Sequence, residues 1–168
     1  YDGDPTEVAL LVSAAKAGVD ADHERLREIP FDAERKRMTV LADGEEVTAY
    51  TKGAPEAVLE CCDRVLVDGE AVPLTEETRA EIREATRAFA SDALRVLGFA
   101  SRVVDDPAAS DHDVESGMVF LGLQGMIDPP RDGVSEAVAD CRSAGIRVVM
   151  VTGDNAETAK AVGESVGF

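Results

Sequence analysis

Arg37-Met38-Thr39-Val40-Leu41-Ala42-Asp43-Gly44-Glu45-Glu46-Val47-Thr48-Ala49-Tyr50-Thr51-Lys52-Gly53-Ala54-Pro55-Glu56 is the stretch on which the fold turns. Residues 37–41 and 47–51 are strand-like runs joined through Asp43-Gly44, a favoured tight-turn pair, so they predict an antiparallel hairpin. Gly53 ends the second strand. Pro55 then opens a short helix to about Cys62, because proline suits the first helical turn.

Upstream, Asp4-Pro5-Thr6-Glu7 reads as a helix start, with Asp4 as the cap and Glu7 three residues on. Val8, Leu11, Val12 and Ala15 fall at helical spacing and predict the inward face, and Gly18 closes the helix. A charged linker is expected to about Arg27. Downstream, residues 65–67 and 71–72 flank Asp68-Gly69 and predict a second small hairpin. Residues 75–93 read as a helix, with Glu76 and Glu77 where the macrodipole favours anions and with Ile82, Ala85 and Phe89 inward. Residues 94–100 return as a strand, 103–117 as an exposed acidic loop, and 118–127 as a long apolar strand.

Asp128-Pro129-Pro130-Arg131 interrupts this pattern. Two prolines continue neither ladder, so a domain boundary is expected there. Beyond it, Val134, Ala137, Val138 and Cys141 make a helical stripe stopped at Gly145. Residues 146–151 are an apolar run broken only by Arg147, expected as a strand buried on both faces of a parallel sheet. Thr152-Gly153-Asp154-Asn155 turns into a last helix with Ala159, Val162, Gly163 and Val166 inward. Helix, buried strand, Gly turn and helix are the parts of a doubly wound α/β unit.

The 168 residues carry 17 Lys and Arg against 34 Asp and Glu, a net charge of −17. Such a field repels phosphate backbones and anionic headgroups, which excludes a general nucleic-acid or membrane-surface binder but not a local pocket for one small anion. Only Lys16, Lys36, Lys52 and Lys160 are lysines. A Lys-poor, acid-rich surface is favoured for solubility at high salt, and an ordinary acidic cytosolic domain reads the same way. Cys61, Cys62 and Cys141 form neither a disulfide framework nor a zinc pattern, so a reduced compartment is expected. No apolar run approaches 18 residues, and the chain is expected to be soluble.

Three places can carry chemistry. Lys52-Gly53-Ala54-Pro55-Glu56 puts a compact cation at a strand end, beside a glycine that permits close backbone approach to a ligand. Pro55 starting a helix beside a solvated Lys52 explains the same residues. Thr152-Gly153-Asp154 sits where α/β folds bind phosphates, although Asp154 with Glu157 also makes a helix cap. Phe31, near Arg35, Lys36 and Arg37, is an aromatic beside cations that suits a purine and its phosphates, or else a core ring beside a solvated face.

The order of five motifs along the chain resembles the cytoplasmic part of P-type cation-transporting ATPases, nearest the calcium-pump-like type II group. They are Gly3-Asp4-Pro5-Thr6-Glu7, Lys52-Gly53-Ala54-Pro55-Glu56, Leu94-Arg95-Val96-Leu97, Asp128-Pro129-Pro130-Arg131, and Gly145-Ile146-Arg147 running into Thr152-Gly153-Asp154-Asn155. The resemblance implies an α+β nucleotide-binding domain over 1–127, an antiparallel sheet with flanking helices whose first strands are missing. A hinge follows over 128–131, and then a partial α/β haloacid-dehalogenase-like phosphorylation domain over 132–168. It further implies that Glu7 accepts from the adenine amino group and Phe31 stacks on the ring. Lys36 would stand near the phosphates, Lys52 and Gly53 would line the deep end, and Arg95 would clamp the ribose and phosphates. Thr152 and Gly153 would contact the transferred phosphoryl group, and Asp154 would position the nucleotide at the domain junction. The implied cofactor is ATP with Mg²⁺ brought by the nucleotide. The implied partners are the actuator and transmembrane domains of an integral membrane pump.

There are departures. The Arg that many relatives carry two residues after the stacking Phe is Ala33 here. Neither the D-K-T-G-T motif bearing the phosphorylated Asp nor the G-D-G-x-N-D motif occurs, so this chain is expected to position MgATP without hydrolysing it, and to hold no catalytic residue or metal ligand of its own. Its terminal αβα piece is expected to pack poorly or to associate with a second copy through strand edges. Two rivals remain. Asp2-Gly3-Asp4-Pro5-Thr6 spells the D-x-D-x-T of a haloacid-dehalogenase-like phosphatase, and a non-catalytic acidic interaction module would bind no nucleotide. The copper- and zinc-exporting branch is disfavoured, because His23 precedes Glu24 and His112 precedes Asp113 where that branch carries a His-Pro pair. Calcium is the first expectation for the transported ion.

Overall fold

The computed structural model describes residues 4–19, 23–127, 130–153 and 156–168. A seven-stranded sheet organises them, in the order β1-β2-β3-β6-β7-β4-β5. The predicted hairpin is β2 (Arg37–Ala42) and β3 (Thr48–Gly53), paired antiparallel with Met38 opposite Lys52 and Val40 opposite Tyr50. The second hairpin is β4 (Cys62–Val67) and β5 (Glu70–Pro73). β6 (Arg95–Val103) and β7 (Met118–Met126) fill the middle.

The sheet is mixed, not antiparallel throughout: β4 pairs parallel to β7. The reason is a crossover. After β3 the chain carries α2 (Pro55–Glu60) over one face and re-enters beyond β6 and β7, so β4 runs in the same sense as β7. Gly98 of β6 makes room for it, since a Cβ there would sit 3.1 Å from the Pro55 Cα and 3.3 Å from the Phe120 ring. α3 (Glu76–Ser91), capped by the Thr75 side chain at 3.2 Å from the Thr78 amide, packs on β6 beside α2. Between these helices and the sheet lies the core, with Leu41, Val58, Leu59, Met118 and Phe120 almost fully buried.

Several expectations are corrected. The charged linker holds β1 (Arg25–Asp32), an edge strand that buries only Ile29. Its charges and Pro30 suit an edge, where a missing donor costs no ladder bond. The loop at 103–117 is not simply exposed. It contains α4 (Asp111–Val114), and Val104, Val114 and Glu115 are buried. Arg27 pins it, donating to the carbonyls of Pro107 at 2.9 Å and Ala109 at 2.7 Å. α1 (Pro5–Lys16) starts as predicted, but Leu11 is 54% exposed and Ala15 is exposed, so the predicted stripe is not its inward face. On α3, Ala85 is exposed and Ala90 is the buried residue.

Beyond the sheet, α5 (Val134–Ser143) and α6 (Ala156–Ser165) form as expected, and α6 packs against α3. Residues 146–151 form no strand, and Ile146, Val149 and Val151 are 57%, 70% and 92% exposed. No strand among the described residues pairs with them, and an apolar run without neighbours has no sheet to enter. Pro130 and Arg131 are exposed, while Asp128 and Pro129 lie outside the described residues.

Candidate functional site

Where β3 runs into α2, the end of the sheet carries an open cavity of about 750 Å³, lined by residues from α1, β1, β2, β3, α2, α3 and β6. Glu7, Phe31, Lys36, Lys52, Gly53, Arg95 and Gly153 all reach it. Thr152 is exposed and is not among its lining residues. Asp154 and Asn155 lie outside the described residues, as do Tyr1, Asp2 and Gly3.

Each side chain arrives by a local rule. Asp4 caps α1 by accepting the Thr6 amide at 2.9 Å, and that hydrogen bond holds its carboxyl below the usual carboxylate range. Asp4 therefore serves as the cap of α1. The cap sets the first turn of α1, from which Glu7 reaches Lys52. The Lys52 Nζ donates to the Glu7 carboxylate at 2.6 Å. Lys52 is held in register between Met38 and Phe99, whose half-buried side chains form the apolar floor. Phe31 stands at the end of β1 with its ring 62% exposed.

Lys36 closes the β1–β2 turn in the left-handed conformation, φ 53°, which is uncommon outside glycine. Its amide donates to the Asp32 carbonyl at 2.7 Å and its carbonyl accepts from the Ala54 amide at 2.9 Å. Gly53 is explained by the same contact: a Cβ there would meet the Arg37 Cα at 2.7 Å. The close backbone approach at Gly53 is thus to the protein's own β2. Lys36 and Arg95 make no ion pair among the described residues.

Lys36, Lys52 and Arg95 share the cavity with Asp4, Glu7 and Glu56, so the local formal charge is zero in a chain of −17. The cavity continues along the open sheet face into a second hollow of about 580 Å³, where Val40, Tyr50, Phe99 and Leu121 add apolar surface. An apolar slot, one carboxylate acceptor and three cations can hold a planar heterocycle with an anionic tail. Among the described residues no three His, Cys, Asp or Glu side chains are placed to hold a metal ion.

The family model for the P-type ATPase, cytoplasmic domain N, matches residues 1–133. The chain belongs to the P-type ATPase family. Calcium-transporting ATPase 1 of Bacillus cereus is 42% identical over 172 residues, and Cation-transporting ATPase pma1 of Synechocystis is 46% identical over 174; each alignment takes in 99% of this chain and 19% of the relative. Calcium-transporting ATPase 4, plasma membrane-type, of Arabidopsis thaliana is 41% identical over 174 residues, with 99% and 17% covered. The chain thus spans about a fifth of the length of the curated relatives it matches. No helix among the described residues is long and apolar enough to cross a membrane.

One group was missed in the sequence. Glu115 is 4% exposed, and its carboxylate accepts from Arg35 and Arg37. Burial pushes this carboxyl up, but the hydrogen bonds from Arg35, Thr39 and Arg37 outweigh it, leaving it below the usual glutamate range. Two of the three cations beside Phe31 are therefore occupied, and Lys36 alone faces the cavity. Nothing in the acidic run 111–115 marks Glu115 as the buried member.

Proposed function

We propose that this P-type ATPase chain holds MgATP, and that in the whole pump it delivers the γ-phosphoryl group to an Asp outside these 168 residues. What carries the reading is the convergence of Glu7, Phe31, Lys36, Lys52 and Arg95 on one cavity. The chemistry is complementary. An adenine edge offers an amino donor beside ring-nitrogen acceptors, and the Glu7–Lys52 pair offers an acceptor beside a donor. Phe31 would cover the ring, a contact type worth about 1–3 kcal/mol. Lys36 and Arg95 would take the phosphates, each worth about 1 kcal/mol or less at exposed positions. After the cost of ordering, a dissociation constant on the order of 0.1–1 mM is expected.

The protein's share of an in-line transfer is positioning and charge stabilisation. Residues 1–127 would be the nucleotide domain and 132–168 part of a haloacid-dehalogenase-like phosphorylation domain. Asp128, Pro129, Pro130 and Arg131 would be the hinge that brings them together. Thr152 and Gly153 would meet the transferred phosphoryl group, with Asp154 at the junction. The exposed run 146–151 would then find its strand partners in the rest of the pump, and the actuator and transmembrane domains would be the further partners. A cation, calcium first, would be the transported ion, as the names of the relatives suggest.

Calorimetric titration of ATP tests this: folded wild type should bind ATP saturably in the stated range, and Phe31→Ala should weaken that binding about tenfold. A folded wild type that binds no ATP favours the acidic interaction module instead.

A further inference from the structure

We propose that Glu115 is a positioning residue of the cleft: by drawing Arg35 and Arg37 onto one buried carboxylate, it fixes the turn that presents Phe31 and Lys36. The proposal rests on the nucleotide reading above.

The geometry is specific. Arg35 Nη1 lies 2.8 Å from both Glu115 oxygens, and Arg37 Nε lies 2.8 Å from Oε2. The Thr39 hydroxyl donates to Oε1 at 2.8 Å and, with its proton so used, accepts from the Thr51 hydroxyl at 2.7 Å. Arg35 also donates through Nη2 to the Pro30 carbonyl at 2.8 Å, immediately before Phe31. The Asp32 carboxylate closes the turn from inside, accepting the Glu34 and Arg35 amides at 2.9 Å each.

Residues 35 and 37 are therefore tied to the far side of the sheet, next to Thr39 and Thr51 in the core. Lys36 lies between them with φ 53°, exposed and lining the cavity. A left-handed lysine persists only where its surroundings over-determine it. Here both neighbours are anchored on the same acid. The arrangement also sorts charge: two guanidiniums are drawn onto one carboxylate away from the cleft, and one ammonium is left to meet a phosphate.

The test is a double-mutant cycle on the full chain with ATP as the probe, joined to amide hydrogen exchange without nucleotide. Glu115→Gln is expected to weaken ATP binding about tenfold, and that loss is expected to shrink in a Lys36→Ala background, the remainder being the part carried by Phe31. The Lys36 amide is expected to exchange about tenfold faster through local opening, with the Leu41 and Ala49 amides faster only as far as the loss of global stability measured by urea unfolding requires. If Glu115→Gln does not fold, Arg35→Gln removes one partner from a half-exposed site and carries the same expectations at smaller amplitude. Additive losses, unchanged or tighter ATP binding, or an unchanged Lys36 amide overturns the proposal. Failure of the wild type to bind ATP at about 5 mM, above the expected range, overturns the nucleotide reading and the positioning role with it; faster Lys36 exchange would then leave only a structural tether.

Discussion

β7 and residues 146–151 are both apolar runs, Met-Val-Phe-Leu-Gly-Leu-Gln-Gly-Met against Ile-Arg-Val-Val-Met-Val, and the second has the higher share of β-branched residues. Yet β7 is a central strand with β6 on one side and β4 on the other, while 146–151 stays unpaired with Val151 92% exposed. The difference is neighbours, not propensity. A strand is stabilised by ladder partners and by a face to cover, and only β7 has α2 and two strands against it.

The comparison can be broken first at Phe120. Phe120→Ala in the paired strand should cost about 3–5 kcal/mol of stability, measured by urea unfolding, because its ring is 2% exposed. Val149→Ala in the unpaired run should change stability by less than about 0.5 kcal/mol. Similar costs at the two sites would mean that 146–151 is packed after all.

Paired charges offer the next contrast. Glu115→Gln should cost about 3 kcal/mol, since it strands Arg35 and Arg37 beside a neutral group. Glu7→Gln, at a pair whose carboxylate is 52% exposed, should cost about 1 kcal/mol or less. The sign with pH follows. The Glu115 carboxyl is held below its ordinary value of about 4.3, so its stabilisation is complete above that pH and fades as pH falls through the lower folded value. The stability gap between wild type and Glu115→Gln should therefore narrow progressively as pH falls below about 4.3. A gap that stays constant or widens as pH falls contradicts the buried-carboxylate assignment.

Thiol labelling sharpens the regional difference. Cys61 and Cys62 are buried, with thiols donating to the carbonyls of Ala57 at 3.4 Å and Val58 at 3.1 Å, and burial pushes Cys62 up to about 12. Cys141 on α5 is half-buried. One thiol of three should react with an aromatic disulfide at neutral pH at least about tenfold faster than the other two, which should need denaturant. Three equal rates would refute the packing difference. The smallest effect is at the cleft, where Lys52→Ala should weaken ATP binding about fivefold with no change in unfolding midpoint beyond that of Glu7→Gln.

Local chemistry made most of the sheet legible. Asp43-Gly44 and Asp68-Gly69 announced the two hairpins, and Asp4-Pro5 and Thr75 announced two helix starts, because turns and caps are decided within a few residues. β1 was hidden because an edge strand with Pro30 and four charged residues looks like a linker. The parallel β4–β7 pair was hidden because a crossover is visible only once the order of strands is known. Phe31, Lys36, Lys52 and Arg95 could be singled out as candidates through motif resemblance, whereas their meeting on one cavity is tertiary. Glu115 was not legible, since its burial depends on partners about 80 positions away in the chain.

The most direct test is residue-resolved. A ¹⁵N-labelled chain titrated with ATP should show saturable amide shift changes at Phe31, Lys36, Lys52 and Arg95, with those of Val65, Val72 and Leu66 unmoved. Shifts confined to residues outside that cavity, or no shifts in a folded protein at millimolar ATP, would contradict a nucleotide site in that cavity.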